Sequence, residues 1–216
     1  AVRNGVPFWN TPLCIGHNQY LCPNFDDLRW QFNTSVAAGA HGIVWFFHYQ
    51  PQWMGNYRFA PIDEFWEKTQ TFYDLRHVHR AFHRHYGDLF NRLVSTRVSF
   101  YPKAFGGGET WTPNDIVKDI WPAYDNNAAI MVGEFVDAQD RRYVMFVNNS
   151  QTKDACDHVK IKFPKNVKLF VYDYGSEGRE QPAGNYEGPH LDGDHLRDWR
   201  WLAPGQEAVY RVDIGK

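Results

Sequence analysis

The spacing of apolar residues along the first fifty positions predicts a strand, a helix and a second strand. Residues 6–9 and residues 42–47 are each apolar without interruption, as in strands that are buried on both faces. Between them, apolar residues recur at every fourth position, which is the spacing of one helical face. These residues are Leu28, Phe32 and Val36. Strand, helix and strand within about 40 residues predict a βαβ crossover with parallel strands.

Signals at both ends delimit this first helix. Asn24 suits the N-cap position, and Asp26 and Asp27 fall in the first turn, where the helix dipole favours negative charge. Gly39 suits the end of the helix, because glycine adopts the left-handed conformation of a C-terminal cap without strain.

A second, longer helix is predicted from about residue 63 to about residue 94. Its apolar side consists of Phe65, Phe72, Leu75, Val78, Phe82, Leu89 and Phe90. Within this segment His79 and His83 are four positions apart and share one helical face. A zinc site needs at least a third ligand, and the interleaved arginines would repel a cation. We therefore expect no metal and no other cofactor.

From residue 97 onward the pattern changes to short segments with β alternation, separated by turn residues. These segments are residues 129–136, 143–148, 158–163, 168–172 and 208–212. Short, regularly spaced strands of this kind predict an antiparallel β-sandwich. We therefore expect three parts: a strand and helix unit over residues 1–96, a connecting segment over 97–126 and a sandwich over 127–216.

Composition excludes several classes of protein. Of 216 residues, 43% are hydrophobic and 22% are charged, which is typical of a folded globular chain. Lys and Arg number 23 against 25 Asp and Glu, so no basic surplus exists to neutralise nucleic-acid phosphates. No run of eighteen apolar residues occurs, so we expect no membrane partner. Aromatic residues reach 17%, and such side chains fill cores and also stack on the flat faces of sugars.

The three cysteines are too few for a disulfide scaffold. Cys14 and Cys22 lie in one predicted loop and either bridge in an oxidising compartment or remain free thiols, while Cys156 would be unpaired. No signal peptide is visible, so either a leader has been removed or the chain begins inside a larger protein. We expect a secreted or periplasmic location in preference to a cytoplasmic one.

Several segments resemble a known enzyme family. In the first half they are Pro7-Phe8-Trp9, Asp27-Leu28-Arg29-Trp30-Gln31 and residues 39–46; in the second half they are residues 134–150, residues 167–173 and Trp201-Leu202-Ala203-Pro204-Gly205. They resemble the carboxy-terminal part of a TIM-barrel glycoside hydrolase, near the family-42 β-galactosidase-like and agarase-like proteins. The resemblance implies an α/β plus all-β fold: the last two strand–helix units of a (β/α)8 barrel, followed by a small β-sandwich.

The activity that the resemblance implies is hydrolysis of O-glycosidic bonds in polysaccharides or oligosaccharides, which requires two carboxyl groups. In the barrel relatives the acid/base residue ends the fourth strand and would lie outside this chain. Their nucleophile ends the seventh strand, where this chain has Asn10-Thr11-Pro12 and no carboxylate. If the chain is catalytic, we favour Glu64, which follows the loop after the second strand. The other carboxylates considered are Asp26, Asp27, Asp63 and Glu67.

Two further hypotheses stay open beside hydrolysis: a non-catalytic carbohydrate-binding or accessory protein, and a structural fragment that completes a partner. Sugar contact would fall to polar and aromatic side chains beyond the predicted strands, because barrel chemistry gathers there. These are Asn10, His17, Asn18, His48, Tyr49, Gln50, Trp53 and Tyr57. Two strands cannot close a barrel. We therefore expect a homo-oligomer, or association with a missing amino-terminal barrel portion.

Overall fold

The described residues include two β-sheets packed face to face, and two α-helices cover the outer face of the larger sheet. The computed structural model describes residues 4–50, 56–122, 129–151, 157–172, 177–183 and 189–215. Within the described residues the helices are α1 (Phe25–Ala37) and α2 (Gln70–Tyr86), and a short 3₁₀ turn spans Leu89–Arg92. The strands are β1 (Trp9–Asn10), β2 (Gly42–Ile43), β3 (Val94–Tyr101), β4 (Glu109–Thr110), β5 (Asp119–Pro122), β6 (Ile130–Val136), β7 (Arg142–Asn148), β8 (Asp157–Pro164), β9 (Val167–Val171), β10 (Gln181–Pro182), β11 (His190–Asp192), β12 (His195–Leu202) and β13 (Glu207–Ile214).

The larger sheet has seven strands in the order β10-β9-β13-β7-β6-β3-β4, and the smaller has four in the order β11-β12-β8-β5. Within these two sheets the pairings are antiparallel except for β3 with β4. The segment that separates the two predicted domains, residues 97–126, contributes strands to both sheets. The predicted boundary near residue 96 falls inside β3.

The first hydrophobic core lies between the two sheets. Strand β8 alternates strictly, so that Val159, Ile161 and Phe163 are fully buried while the residues between them face outward. Opposite them, Val132 of β6 and Phe146 of β7 are also fully buried. This alternation is typical of a sheet that has one face in the core and the other in solvent.

The second core lies between the helices and the other face of the seven-stranded sheet. Leu28, Phe32 and Val36 of α1 form its helical side, together with residues of α2. Met131 and Met145 supply its sheet side. Strands β6 and β7 are therefore buried on both faces, which explains why residues 143–147 are apolar without interruption and residues 130–136 are interrupted only by Gly133 and Glu134.

Glu207, at the start of β13, joins both helices to the sheet. Its carboxylate accepts hydrogen bonds from the Asn33 side chain of α1 and from the Tyr86 hydroxyl of α2, the latter at 2.9 Å. Burial raises the pKa of Tyr86 well above its ordinary value, and the neighbouring carboxylate adds to the shift. The hydroxyl therefore stays protonated and remains a donor to Glu207.

The barrel expectation is wrong. The described residues are 40% strand and 19% helical, with only two α-helices, and they do not form strand–helix units of a barrel. The two apolar runs predicted as buried parallel strands pair over just two residues each, Trp9 with Gly42 and Asn10 with Ile43. The resemblance to a TIM-barrel glycoside hydrolase, and the α/β class it implied, are corrected to a mainly β fold.

The physical reason for this error is that an apolar run without periodicity does not distinguish a buried strand from other apolar packing. Phe46 and Phe47 stack on each other at 4.6 Å in an aromatic cluster beyond β2. Trp9 and Val44 are 68% and 46% exposed. Association with a second copy or another chain stays a prediction, and these two side chains are exposed apolar surface that it would cover.

The second predicted helix is shorter than expected because both of its ends are interrupted. Residues 63–67 form a turn, and α2 begins at Gln70. At the other end Gly87 has φ of +52° and ψ of −124°, a backbone conformation that glycine adopts without strain, and it terminates the helix. Neither α1 nor α2, in the part of the chain that is described, has the length and apolar character needed to cross a bilayer.

Gly133 of β6 lets α1 approach the sheet closely. A Cβ at this position would lie 2.4 Å from the carbonyl oxygen of Ala37, at the last residue of α1. Backbone cannot give way as a flexible side chain can. The absence of a side chain here is therefore a packing requirement.

We predict that Gly133→Ala lowers the free energy of unfolding by about 1–3 kcal/mol, because the added methyl forces the end of α1 away from the sheet. Chemical denaturation followed by circular dichroism measures the change. Gly215→Ala is the matched control, since a Cβ there makes only an ordinary contact at 3.5 Å with Asn166. An equal decrease in the free energy of unfolding in Gly133→Ala and Gly215→Ala would contradict the packing argument.

Candidate functional site

A tight turn displays Trp66 to solvent. The Asp63 carboxylate accepts hydrogen bonds from the backbone amides of Phe65 and Glu67, each at 2.9 Å. The amide of Trp66 donates to the Asp63 carbonyl at 3.1 Å. Trp66 itself has φ of +66° and is 73% exposed. A bulky residue in the left-handed region is strained, and such strain concentrates at functional sites.

The indole of Trp66 rests on a second aromatic ring. It stacks on Tyr49 with ring centroids 4.4 Å apart and an interplanar angle of 16°. Tyr49 is half-buried, and the backbone on either side of it is bound to Ile62: Gln50 donates its amide to the Ile62 carbonyl at 2.8 Å, and Ile62 donates to the His48 carbonyl at 3.0 Å. The Tyr49 ring is therefore held in place by its backbone contacts, while the Trp66 ring is exposed to solvent.

A polar pair belongs to the same two segments. The side-chain amide of Gln50 donates to Oε2 of Glu64 at 2.8 Å, and both residues are half-buried. Gln50 directly follows Tyr49 in the sequence, and Glu64 is two residues before Trp66. We call these four residues the Trp66 platform: Tyr49, Gln50, Glu64 and Trp66. It combines an exposed aromatic ring with a carboxylate and an amide, which can accept and donate hydrogen bonds.

His17 and Tyr57, two of the predicted contact residues, lie together in a different place. The imidazole is stacked between the rings of Tyr20, at 5.0 Å, and Tyr57, at 5.1 Å. His17 is 9% exposed, and its Nδ1 has no hydrogen-bond partner in the described part of the chain. This arrangement packs the loop after β1 and leaves little of the imidazole accessible to a ligand.

The remaining predicted residues are dispersed. The Asn10 side chain donates to the Ser35 hydroxyl at 2.7 Å and so ties β1 to α1. Asn18 is exposed, in a left-handed conformation, and accepts a hydrogen bond from Asn56. His48 is exposed beside the platform segment, and Trp53 lies outside the described residues.

Of the predicted residues, Tyr49, Gln50 and Glu64 thus come together, and the sequence reasoning missed Trp66. The sequence pattern predicts that the segment around Trp66 starts a helix, with Phe65 on its buried side. In the structure Phe65 is 71% exposed and Asp63 closes a turn. An aspartate two residues before Phe65 was the available signal, since this side chain commonly bonds to the backbone two residues further on.

His79, which raised the possibility of a metal, accepts a hydrogen bond. The indole nitrogen of Trp45 donates to its Nε2 at 2.9 Å, which requires a neutral ring with the proton on Nδ1. Burial lowers the pKa of His79, and the neighbouring His83 lowers it further. Among the residues that the structure describes, no three His, Cys, Asp or Glu side chains are placed to hold a metal ion.

Cys14 and Cys22 are both free thiols in the structure. Cys14 is fully buried and its Sγ lies 3.2 Å from the carbonyl oxygen of Phe47, to which it donates. Burial raises the pKa of the Cys14 thiol to about 12, so it stays protonated and unreactive near neutral pH. Cys156 lies outside the described residues.

Comparison with known proteins adds no relative. No protein-family model, no curated protein and no solved structure matches the chain. The function therefore has to be argued from the geometry of the site.

We predict that protonation of His79 contributes to acid destabilisation. Its pKa is lower in the folded protein than in the unfolded chain, where it is about 6.5. As the pH falls through about 6.5, the unfolded chain therefore takes up the proton first. The free energy of unfolding should decrease over this interval and level off below the folded pKa.

Urea denaturation at a series of pH values between about 7.5 and 5 measures the effect. His79→Gln should reduce the pH dependence of the unfolding free energy, because glutamine does not titrate. His41→Gln, a change at an exposed histidine, should leave it as in the original protein. If the free energies of unfolding of His79→Gln and the original protein differ by the same amount at every pH, His79 is not the source of the pH dependence.

Proposed function

We propose that the protein binds carbohydrate without hydrolysing it and that the Trp66 platform makes the contact. The observation that carries the proposal is an indole 73% exposed, held on a strained turn and supported by a stacked tyrosine. A pyranose ring has an apolar C–H face that covers an aromatic ring well, while its hydroxyls bond to side chains at the ring's edge.

The polar pair suits the hydroxyl groups of such a ligand. Glu64 has one carboxylate oxygen bound to Gln50, and the other has no protein partner in the described part of the chain. The carbonyl oxygen of the Gln50 side chain likewise has no donor among the described residues, so it can accept a hydrogen bond from a ligand. Two acceptors beside an aromatic face favour a neutral sugar, because a carboxylate at the site repels an anionic one.

Binding is favoured over hydrolysis because the carboxylates of Glu64 and Asp63 are engaged in contacts within the protein. Hydrolysis needs two carboxyl groups about 5–5.5 Å or 6.5–9.5 Å apart that act on the same bond. Glu64 pairs with an amide, and the Asp63 carboxylate accepts two backbone amides within its own turn. The barrel resemblance that implied a hydrolase has been corrected by the fold.

We predict that Trp66→Ala weakens the binding of neutral oligosaccharides at least tenfold, because about 1.4 kcal/mol of stacking contact corresponds to that factor. Isothermal titration calorimetry with cellohexaose, xylohexaose and mannohexaose measures the affinity, and quenching of tryptophan fluorescence gives a second readout. Glu64→Ala should weaken binding by removing a hydroxyl acceptor while leaving the stacked rings in place.

Phe65→Ala is the matched control, since Phe65 belongs to the same turn and is 71% exposed but makes no stack with Tyr49. It should bind as the original protein does. The proposal fails if the original protein binds none of the three hexasaccharides, or if Trp66→Ala binds them with unchanged affinity.

A further inference from the structure

The outer face of the four-stranded sheet is unusually rich in aromatic and basic side chains. Because side chains alternate along a strand, every second residue of β5, β8 and β12 points away from the sandwich core. These outward residues are Asp119 and Trp121 of β5, His158, Lys160 and Lys162 of β8, and Arg197, Trp199 and Trp201 of β12. Among the inward residues between them, Ile120, Val159, Ile161, Phe163 and Leu202 belong to the first core.

A tryptophan, a lysine and a tryptophan stand side by side across three strands. In the sheet register Lys160 is directly opposite Trp121 on one side and Trp199 on the other. Its Nζ lies 4.6 Å from the centroid of the Trp121 ring, and Trp121 is 46% exposed. On the other side, Trp199 is contacted by a different cation, the guanidinium of Arg197, which lies 5.5 Å from its ring centroid.

Neighbouring rings extend this row into a continuous surface. His190 of β11 stacks on Trp199 at 5.0 Å, and His158 stacks on Trp201 at 4.7 Å. Trp201 is 48% exposed. The stacks brace the indoles against neighbouring strands, so that their orientation on the sheet is set before a ligand arrives.

Charge on this face is unevenly compensated. Lys162 and Arg197 share the carboxylate of Asp192, at 3.8 Å and 3.5 Å. Lys160, in contrast, has no carboxylate within ion-pair distance among the described residues; its partner there is the Trp121 ring. A chain with a net charge of −2 thus presents, on this face, an uncompensated cation beside the Trp121 ring.

We propose that this face binds an acidic polysaccharide, a chain of hexuronate units. Pyranose rings lie on Trp121 and Trp199, and a sugar carboxylate pairs with Lys160. The site is separate from the Trp66 platform and has the opposite charge preference. A single uncompensated lysine on an acidic chain suits a sugar carboxylate better than a nucleic acid, whose binding requires many basic groups to neutralise its phosphates.

Calorimetric titration with polygalacturonate at low and high salt tests the proposal, with the neutral polymer galactan and a single-stranded DNA oligonucleotide as comparison probes. We expect the original protein to bind polygalacturonate and to lose affinity as salt rises. Lys160→Gln should bind at least fivefold more weakly, and Lys160→Glu should not bind measurably. Trp121→Ala should lose about tenfold in affinity through the lost stacking contact.

Lys168→Gln is the matched control, because Lys168 is an exposed lysine on β9 of the other sheet. It should bind polygalacturonate unchanged, and so should Trp66→Ala, which separates this site from the neutral-sugar platform. The proposal is overturned if the original protein does not bind polygalacturonate or if both Lys160 variants bind it normally. It is also overturned if the DNA oligonucleotide binds at this face in preference to the polysaccharide. Thermal unfolding of each variant verifies that the sheet is intact.

Discussion

Burial of the central strands on both faces is the constraint on which the rest of the fold depends. Strands β6 and β7 are buried at nearly every position and carry apolar side chains on both faces, so neither face is stable in water. The four-stranded sheet covers one face and the two helices cover the other. Close contact on the helical side requires Gly133, whose missing side chain makes room for the end of α1. The three layers are consequences of this one requirement.

Apolar contact is non-directional, and buried polar groups add direction at each interface between layers. On the helical side, Glu207 binds Asn33 and Tyr86. Between the sheets, Asp198 of β12 accepts from the Tyr210 hydroxyl of β13 at 2.8 Å and from Arg200 at 2.9 Å. Asp198 is fully buried, so losing a partner would leave a charge without compensation. These networks favour one relative placement of the layers over others of similar apolar contact.

The two proposed binding surfaces arise from different structural devices. On the sheet face, alternation along each strand together with the register between strands places Trp121, Lys160 and Trp199 in one row, and no strained backbone is needed. The Trp66 platform instead depends on a turn closed by Asp63 and on a left-handed tryptophan. Glu64 gives one surface an acceptor for neutral sugars, whereas Lys160 gives the other a cation.

Local patterns in the sequence by themselves determined the elements whose burial is one-sided or whose ends are capped. Helix α1 follows from Asn24, which caps it, and from apolar residues at every fourth position. Strand β8 follows from its strict alternation.

Only the tertiary structure decided the rest, because apolar runs such as residues 42–47 do not reveal which surface covers them. Trp66 is a candidate binding residue because a turn closed by backbone hydrogen bonds exposes it. Trp121 is one because its strand pairs with a strand about 40 residues away, which sets it beside Lys160. Those contacts join residues that no local pattern relates.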